Sequence, residues 1–274
     1  MPLTRKQVQY IKENINRNCV HGNNILSKKD KEGIEYFYNE YIKFYKTMEI
    51  DNIDDKIISF INYKDYVAKN NRTTDNKLIF SSQSKFESTI LEEFLYHIFK
   101  NLIEEYDNIF GAGSVKAYNN LYFAPTDIRR FKEYNFININ KKDQDFAIYK
   151  NVILKDNNKS IELSIPIIAI ECKTYLDKTM LEGSVATAEK IKSGNPHCKF
   201  YIVTETYEVD LNVDPSTSRI DNIFVLKKSR NNNQDYPICS DVIMNLYNEI
   251  KKHLNSNWSN IEENIKNKGI IFDK

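Results

Sequence analysis

Apolar and polar positions follow two different periods along this chain, and the change of period divides it. Over residues 1–70, apolar and aromatic residues recur at three- and four-residue spacing among Lys, Asn and Glu, the mark of amphipathic helices. Helices are expected near 4–16, 28–48 and 52–68. His21-Gly22-Asn23-Asn24 reads as the loop between the first two, because Gly and Asn tolerate turn conformations. Tyr36, Tyr38, Tyr41, Phe44 and Tyr45 sit at helical spacing and read as core packing, with base stacking as the alternative. The polar connector Asn70-Asn71-Arg72-Thr73-Thr74-Asp75-Asn76 separates an N-terminal helical lobe, 1–75, from the remainder, 76–274.

A longer helical pattern covers 84–105, where Phe86, Ile90, Leu91, Phe94, Leu95, Ile98, Phe99 and Leu102 form a broad apolar stripe. Ser84 and Glu87 have the spacing of a capping box. At about 100° per residue, Glu87 also projects into the stripe, with Glu92 and Glu93 on its flanks. Glu87 therefore reads either as a cap or as an acid on the core-facing arc. Gly111-Ala112-Gly113 lacks the continuation of a phosphate-binding loop and reads as a plain loop. Mixed short segments fill 117–140.

Beyond this point the pattern becomes strand-like. Asp143–Tyr149 and Ile161–Ile165 flank the turn-rich Lys155-Asp156-Asn157-Asn158-Lys159-Ser160, a hairpin or meander signal. Ile167–Lys173 is a buried-strand pattern, Asp177–Lys192 a helix, and 200–204 and 223–226 are further strands. A polar loop covers 210–218, and a last helix covers 239–254. Strand, helix, strand, strand is the order of an α/β architecture with a central mixed sheet flanked by helices.

The run Ile167-Ile168-Ala169-Ile170-Glu171-Cys172-Lys173 carries the candidate chemistry. Residues two apart in a strand share a face, so Glu171 and Lys173 emerge side by side. Burying such charges is costly unless a partner or metal compensates. Other acid-x-Lys triplets, such as Asp54-Asp55-Lys56, Asp75-Asn76-Lys77 and Glu249-Ile250-Lys251, lie in turns or on a helix. Only the Glu171 copy ends a strand, and the upstream hairpin can set Asp145 beside it. Two carboxylates and an ammonium suit Mg²⁺-dependent phosphodiester hydrolysis.

Composition narrows the reading further. With 39 basic and 38 acidic residues, the net charge of +1 neither demands nor excludes nucleic acid, and a DNA enzyme of this composition must segregate its cations. Cys19, Cys172, Cys198 and Cys239 form no CxxC pair, which argues against zinc and for a reducing compartment. His21, His97, His197 and His253 are isolated and read as surface or packing residues. No apolar leader and no apolar run of ~18 residues is visible, so a cytoplasmic protein is expected.

Asp145, Glu171-Cys172-Lys173, the following helix and the next strand together resemble the PD-(D/E)XK nuclease superfamily. The stretches Glu171-Cys-Lys-Thr-Tyr-Leu-Asp-Lys-Thr-Met-Leu-Glu-Gly183 and Ser84-Lys-Phe-Glu-Ser-Thr-Ile-Leu-Glu-Glu-Phe94 resemble type II restriction endonucleases in particular. The resemblance spans about 84–230. Gln144 stands where the motif has Pro, and Asp143 is the alternative to Asp145 as the motif acid. The resemblance implies a restriction-endonuclease-like core with Mg²⁺ held by Asp145, Glu171 and the Cys172 carbonyl. Lys173 would orient the attacking water, and an acid of the 84–105 helix, Glu87 first and Glu93 second, would complete the site. It implies double-stranded DNA as substrate, 5′-phosphate and 3′-hydroxyl products, a homodimer on a palindromic target, and a cognate DNA methyltransferase protecting the host. Lys178, Lys190, Lys192, Lys227, Lys228 and Arg230 flank the site as candidate phosphate contacts. Base readout falls to the N-terminal lobe, to 113–135 with Arg129 and Arg130, or to 210–235. The alternatives are another nuclease of the same fold, for repair, recombination or mobile elements, and a non-catalytic DNA-binding module.

Overall fold

The computed structural model describes residues 4–30, 33–71, 79–80, 85–106, 109–132, 137–156, 159–230, 236–258 and 260–271. Helices α1 (Arg5–Asn14), α2 (Val20–Ser27), α3 (Glu35–Met48), α4 (Ile53–Asn70) and α5 (Ser88–Glu104) come first. Strand β1 (Gly111–Phe123), the short helix α6 (Ile128–Phe131) and strands β2 (Ile137–Asp156) and β3 (Lys159–Leu176) follow. Helix α7 (Lys178–Gly194), β4 (Lys199–Tyr207), β5 (Asn222–Ser229), α8 (Ser240–Leu254) and α9 (Ile261–Lys268) complete the chain.

The five strands form one mixed sheet in the order β1-β2-β3-β4-β5. The first three make an antiparallel meander, and β4 and β5 add in parallel. Helix α7 is the crossover that returns the chain from β3 to the parallel β4, a connection that an antiparallel turn cannot make. Alternation from Ile168 to Lys173 assigns the two faces of β3 at the site. Ile168, Ile170 and Cys172 join a core shared with the N-terminal helices and α8, together with Phe146, Ile148, Tyr201 and Val203. Ala169 and Leu176 join Phe200, Ile202 and the α7 residues Leu181, Ala188 and Ile191 on the other face. Glu171 and Lys173 belong by parity to the α7 face.

Three local readings change. The 21–24 segment lies inside α2 and is not a loop. Gly22 fits there because of close packing: a Cβ would sit 2.1 Å from the Tyr41 hydroxyl oxygen. Gly111-Ala112-Gly113 opens β1, with Gly113 at φ +125, a conformation that side chains resist. Helix α5 begins at Ser88, not 84, and Glu87 makes no side-chain cap bond. Ser84 lies outside the described residues.

The α3 aromatics are core. Tyr38, Tyr41, Phe44 and Tyr45 are buried, whereas Tyr36 is exposed. Phe60 of α4 stacks on Phe94 of α5 at 4.1 Å, and Phe99 meets Phe146 of the sheet at 5.6 Å. Each such buried ring contributes about 1.5–3 kcal/mol, so α5 joins the N-terminal helices to the sheet. A buried ionic contact adds to the joint. Glu205 of β4 lies between Lys64 of α4 at 2.5 Å and Lys227 of β5 at 3.0 Å. Burial raises the Glu205 carboxyl, but Lys64 and then Lys227 outweigh it and hold the group below its ordinary range. Among the described residues, no helix is long and apolar enough to cross a membrane.

Candidate active site

Strands β2 and β3 pair antiparallel with Phe146 opposite Ile170, which carries the preceding Asp145 to the level of Glu171. Asp145 Oδ2 accepts a hydrogen bond of 2.9 Å from the Cys172 backbone N–H. The Lys173 ammonium lies 3.3 Å from Glu171 Oε2 and 3.7 Å from Asp145 Oδ2, between the two acids. The structure thus brings Asp145, Glu171 and Lys173 into one cluster. Asp143 is exposed on the same strand. Gln144, at the Pro position of the motif, is 1% exposed.

Helix α7 closes over Glu171. Ser184 donates to Glu171 Oε2 at 2.8 Å, and Lys142 of β2 donates to Oε1 at 2.8 Å and to Thr187 Oγ1 at 2.7 Å. Burial raises the Glu171 carboxyl, but Lys173 first, then Lys142 and Ser184, hold it below its ordinary value. Desolvation lowers the Lys173 ammonium, but Asp145 and Glu171 outweigh it and keep the amine protonated beyond its usual range. The Cys172 thiol is buried and lies on the opposite core, raised by burial and by Asp145.

Lys142 is a component the strand pattern did not suggest. It stands three residues from Asp145, so strict alternation sends the two to opposite faces. The β1–β2 ladder slips between them: Gly113 pairs with Ala147 and Val115 with Gln144, three steps on β2 against two on β1. This bulge, one extra residue, resets the parity and lets both side chains reach Glu171 or its partner Lys173.

The acids of α5 separate into three environments. The Glu87 carboxylate accepts from Asn71 Nδ2 at 2.9 Å, and its carbonyl accepts from Lys64 Nζ at 3.3 Å. Glu93 is fully buried among the N-terminal helices, accepting from His21 N–H at 2.8 Å, Gly22 N–H at 3.0 Å and the Tyr41 hydroxyl at 2.9 Å. Its carboxyl group therefore meets the N-terminal end of α2, where backbone N–H groups lack intrahelical partners. Glu92, half-buried, is the α5 acid that feels the cluster. Burial and then Asp145 push its carboxyl up to about 7, against Lys85 and Lys173. The helical projection that favoured Glu87 assumed a regular helix through residue 87. Glu87 is the N-cap of α5 and keeps helical backbone angles, but its carboxylate is taken up by Asn71.

The candidate phosphate contacts divide as well. Lys178 and Lys190 are exposed on α7, with Lys178 3.9 Å from Glu182. Lys192 is held by Asp221 at 2.5 Å, Lys227 by Glu205, and Lys228 by Asp241 at 2.5 Å. Arg230 donates to the Val209 carbonyl at 3.0 Å. Arg129 and Arg130 lie exposed on α6, their backbone N–H groups bonded to Asp127.

A helix-flanked mixed sheet with N-terminal helices agrees with what known proteins show: this is a type II restriction endonuclease, an enzyme that cleaves DNA. The model of the Bpu10I restriction endonuclease family matches residues 83–236, more than half of the chain, and the chain belongs to that family. The matched segment includes α5, the whole sheet and α7, and so every residue of the acidic cluster. A solved structure titled "native BbvCI A2B2 tetramer at low resolution" aligns with a TM-score of 0.64 and 20% identity, covering 88% of this chain and 97% of that one. At that identity the likeness speaks for the fold alone. No curated protein sequence matches.

Proposed function

We propose that the chain hydrolyses phosphodiester bonds of double-stranded DNA at a specific site with Mg²⁺, leaving 5′-phosphate and 3′-hydroxyl ends. The observation that carries this reading is the convergence of Asp145, Glu171 and Lys173 on adjacent strands. Two carboxylates with hard oxygen donors at a half-buried site fit a magnesium ion. Asp145 and Glu171 would hold it, with the Cys172 carbonyl as a further ligand and Glu92 as the third acid in place of Glu87 or Glu93. When bound, Mg²⁺ supplies charge neutralisation at the scissile phosphate and lowers the pKa of a water ligand.

The remaining work falls to the side chains. Lys173 stays protonated between the two acids, and there it orients the attacking water and stabilises charge that develops on the phosphate. Ser184 and Lys142 fix the Glu171 carboxylate, and Thr187 fixes Lys142. In this reading Lys178 and Lys190 contact DNA phosphates, and Arg129 and Arg130 reach base edges. A host that carries such an activity needs a methyltransferase of the same specificity, and both act where the chromosome is, in the cytoplasm.

Two assemblies fit. A homodimer matches a palindromic target by shared two-fold symmetry. Assembly with a second kind of chain is favoured by the BbvCI structure, which is described as an A2B2 tetramer. Light scattering on the purified chain, alone and on DNA, separates them. Incubation of the chain with plasmid and Mg²⁺ tests the activity: discrete fragments or site-specific nicks support it, and intact plasmid across substrates opposes it.

A further inference from the structure

The four cysteines and four histidines are scattered in sequence, yet folding brings Cys19, Glu93 and His97 together inside the N-terminal helices, far from any role in the acidic cluster. Their ligand atoms lie within 4.8 Å of one another. The three residues are 0%, 0% and 1% exposed. Glu93 and His97 stand four apart on α5 and so on one helix face, and Cys19 caps the start of α2. A tetrahedral zinc ion with bonds of about 2.0–2.3 Å spaces its ligand atoms roughly 3.3–3.8 Å apart, so the cluster closes on an ion with small side-chain rotations.

The second observation is His97 itself. Both its ring nitrogens are buried without a hydrogen-bond partner. A buried imidazole normally satisfies at least one. Its Nε2 faces Glu93 Oε1 at 3.8 Å, and its Nδ1 faces Glu49 Oε1 at 3.6 Å. That is the arrangement of a metal-bound histidine: one nitrogen on the ion, the other directed at a carboxylate that fixes the ring. Glu49 is itself anchored by Lys100 at 2.7 Å. Glu93 Oε2 is occupied by two backbone donors, while Oε1 takes one hydrogen bond, from Tyr41, and keeps a lone pair. Cys19 Sγ makes one weak contact, 3.8 Å to Asn16 Oδ1. Tyr45 and Phe44 pack their rings on His97 and shield the site from solvent.

We propose that Cys19, Glu93 and His97 bind one divalent ion, zinc by the chemistry of the donors, with water in the fourth position, and that this ion ties α2 to α5. Thiolate with imidazole selects zinc over magnesium, so the site is separate in chemistry from the acidic cluster. It is structural: it holds the helices against which α5 presents its opposite side to the sheet.

The test uses the full chain carrying Asp145→Ala, so that binding at the acidic cluster is reduced and nuclease activity is not the readout. The protein is stripped with chelator, reloaded with Zn²⁺ or Co²⁺ and passed over a desalting column. About one ion per chain is expected to remain. The Co²⁺ form should show sulfur-to-metal charge transfer in the near ultraviolet and tetrahedral d–d bands in the visible. Cys19→Ser should remove the charge-transfer band, and Glu49→Gln should weaken Co²⁺ binding by about 10- to 100-fold. Zn²⁺ should raise the melting temperature of the parent more than that of Cys19→Ser. A stripped but folded parent that shows no charge-transfer band with Co²⁺ would overturn the proposal. So would a band that persists in Cys19→Ser. The parent measurement stands alone if a variant fails to fold.

Discussion

Replacing Glu92 by Gln should make the metal-free enzyme more stable at high pH, because a charge is then no longer forced into an acidic cluster. The Glu92 carboxyl is raised from 4.5 to about 7, first by burial and then by Asp145. At roughly 1.4 kcal/mol per pH unit, that displacement corresponds to about 3.5 kcal/mol at most, and partial exposure reduces it toward about 1–3 kcal/mol. The sign follows from linkage. A group whose folded pKa lies above its unfolded value contributes stability that is fully present below the unfolded pKa and lost as pH rises through the folded one. For Glu92 that window runs from 4.5 to about 7. Urea unfolding in EDTA should show the Gln variant within about 1 kcal/mol of wild type at pH 5 and about 1–3 kcal/mol more stable at pH 8. Adding Mg²⁺ or Ca²⁺ at pH 8 should stabilise wild type more than the variant, since the variant lacks one anionic ligand. If the two proteins differ equally at pH 5 and pH 8, Glu92 does not face Asp145 and the third acid lies elsewhere.

Other outcomes follow from the same structure. Glu205→Gln leaves Lys64 and Lys227 facing a neutral group and should destabilise by about 3–5 kcal/mol in urea. Glu171, held below its ordinary pKa, contributes stability present above the unfolded carboxylate value and lost as pH falls through the lowered one; Glu171→Gln should flatten that acid limb in an unfolding series. Duplex affinity measured in Ca²⁺ should fall steeply with salt, by about 0.9 in log–log slope for each phosphate neutralised; a flat response would mean that Lys178 and Lys190 do not face DNA.

The parts of the site legible in sequence are those set by local periodicity. Glu171 and Lys173 share a face because a strand alternates, and the turn-rich 155–160 segment brings Asp145 to their level. The remaining parts depend on breaks in periodicity or on contacts distant in sequence. Lys142 reaches Glu171 only because a bulge in β2 shifts the parity. Ser184 and Thr187 arrive from α7, whose rotation about its axis the strand pattern does not specify. The Glu92 carboxyl feels Asp145, and Glu87 is bonded to Asn71 of the segment after α4, a contact that helical periodicity does not carry. The α2 helix was hidden by Gly22 and two asparagines, whose turn propensity is overridden by close packing against Tyr41. In the same region Glu93, read from the helix flank as a candidate for the site, serves as an internal acceptor for α2. Overall architecture was more accessible, since the order of helical and strand periods already implied a mixed sheet with flanking helices.

We propose Asp145, Glu171 and Lys173 as one DNA-cleaving centre, and strand breakage tests this most directly. Strand breakage of supercoiled plasmid, scored for nicks as well as full cuts, is compared in Mg²⁺ for wild type, Asp145→Ala and Lys173→Ala. Unfolding curves and duplex binding in Ca²⁺ are recorded on the same preparations. The expected result is site-specific breakage by wild type and its loss in both variants, with folding and DNA binding retained. Breakage at the wild-type rate by either variant would contradict the account.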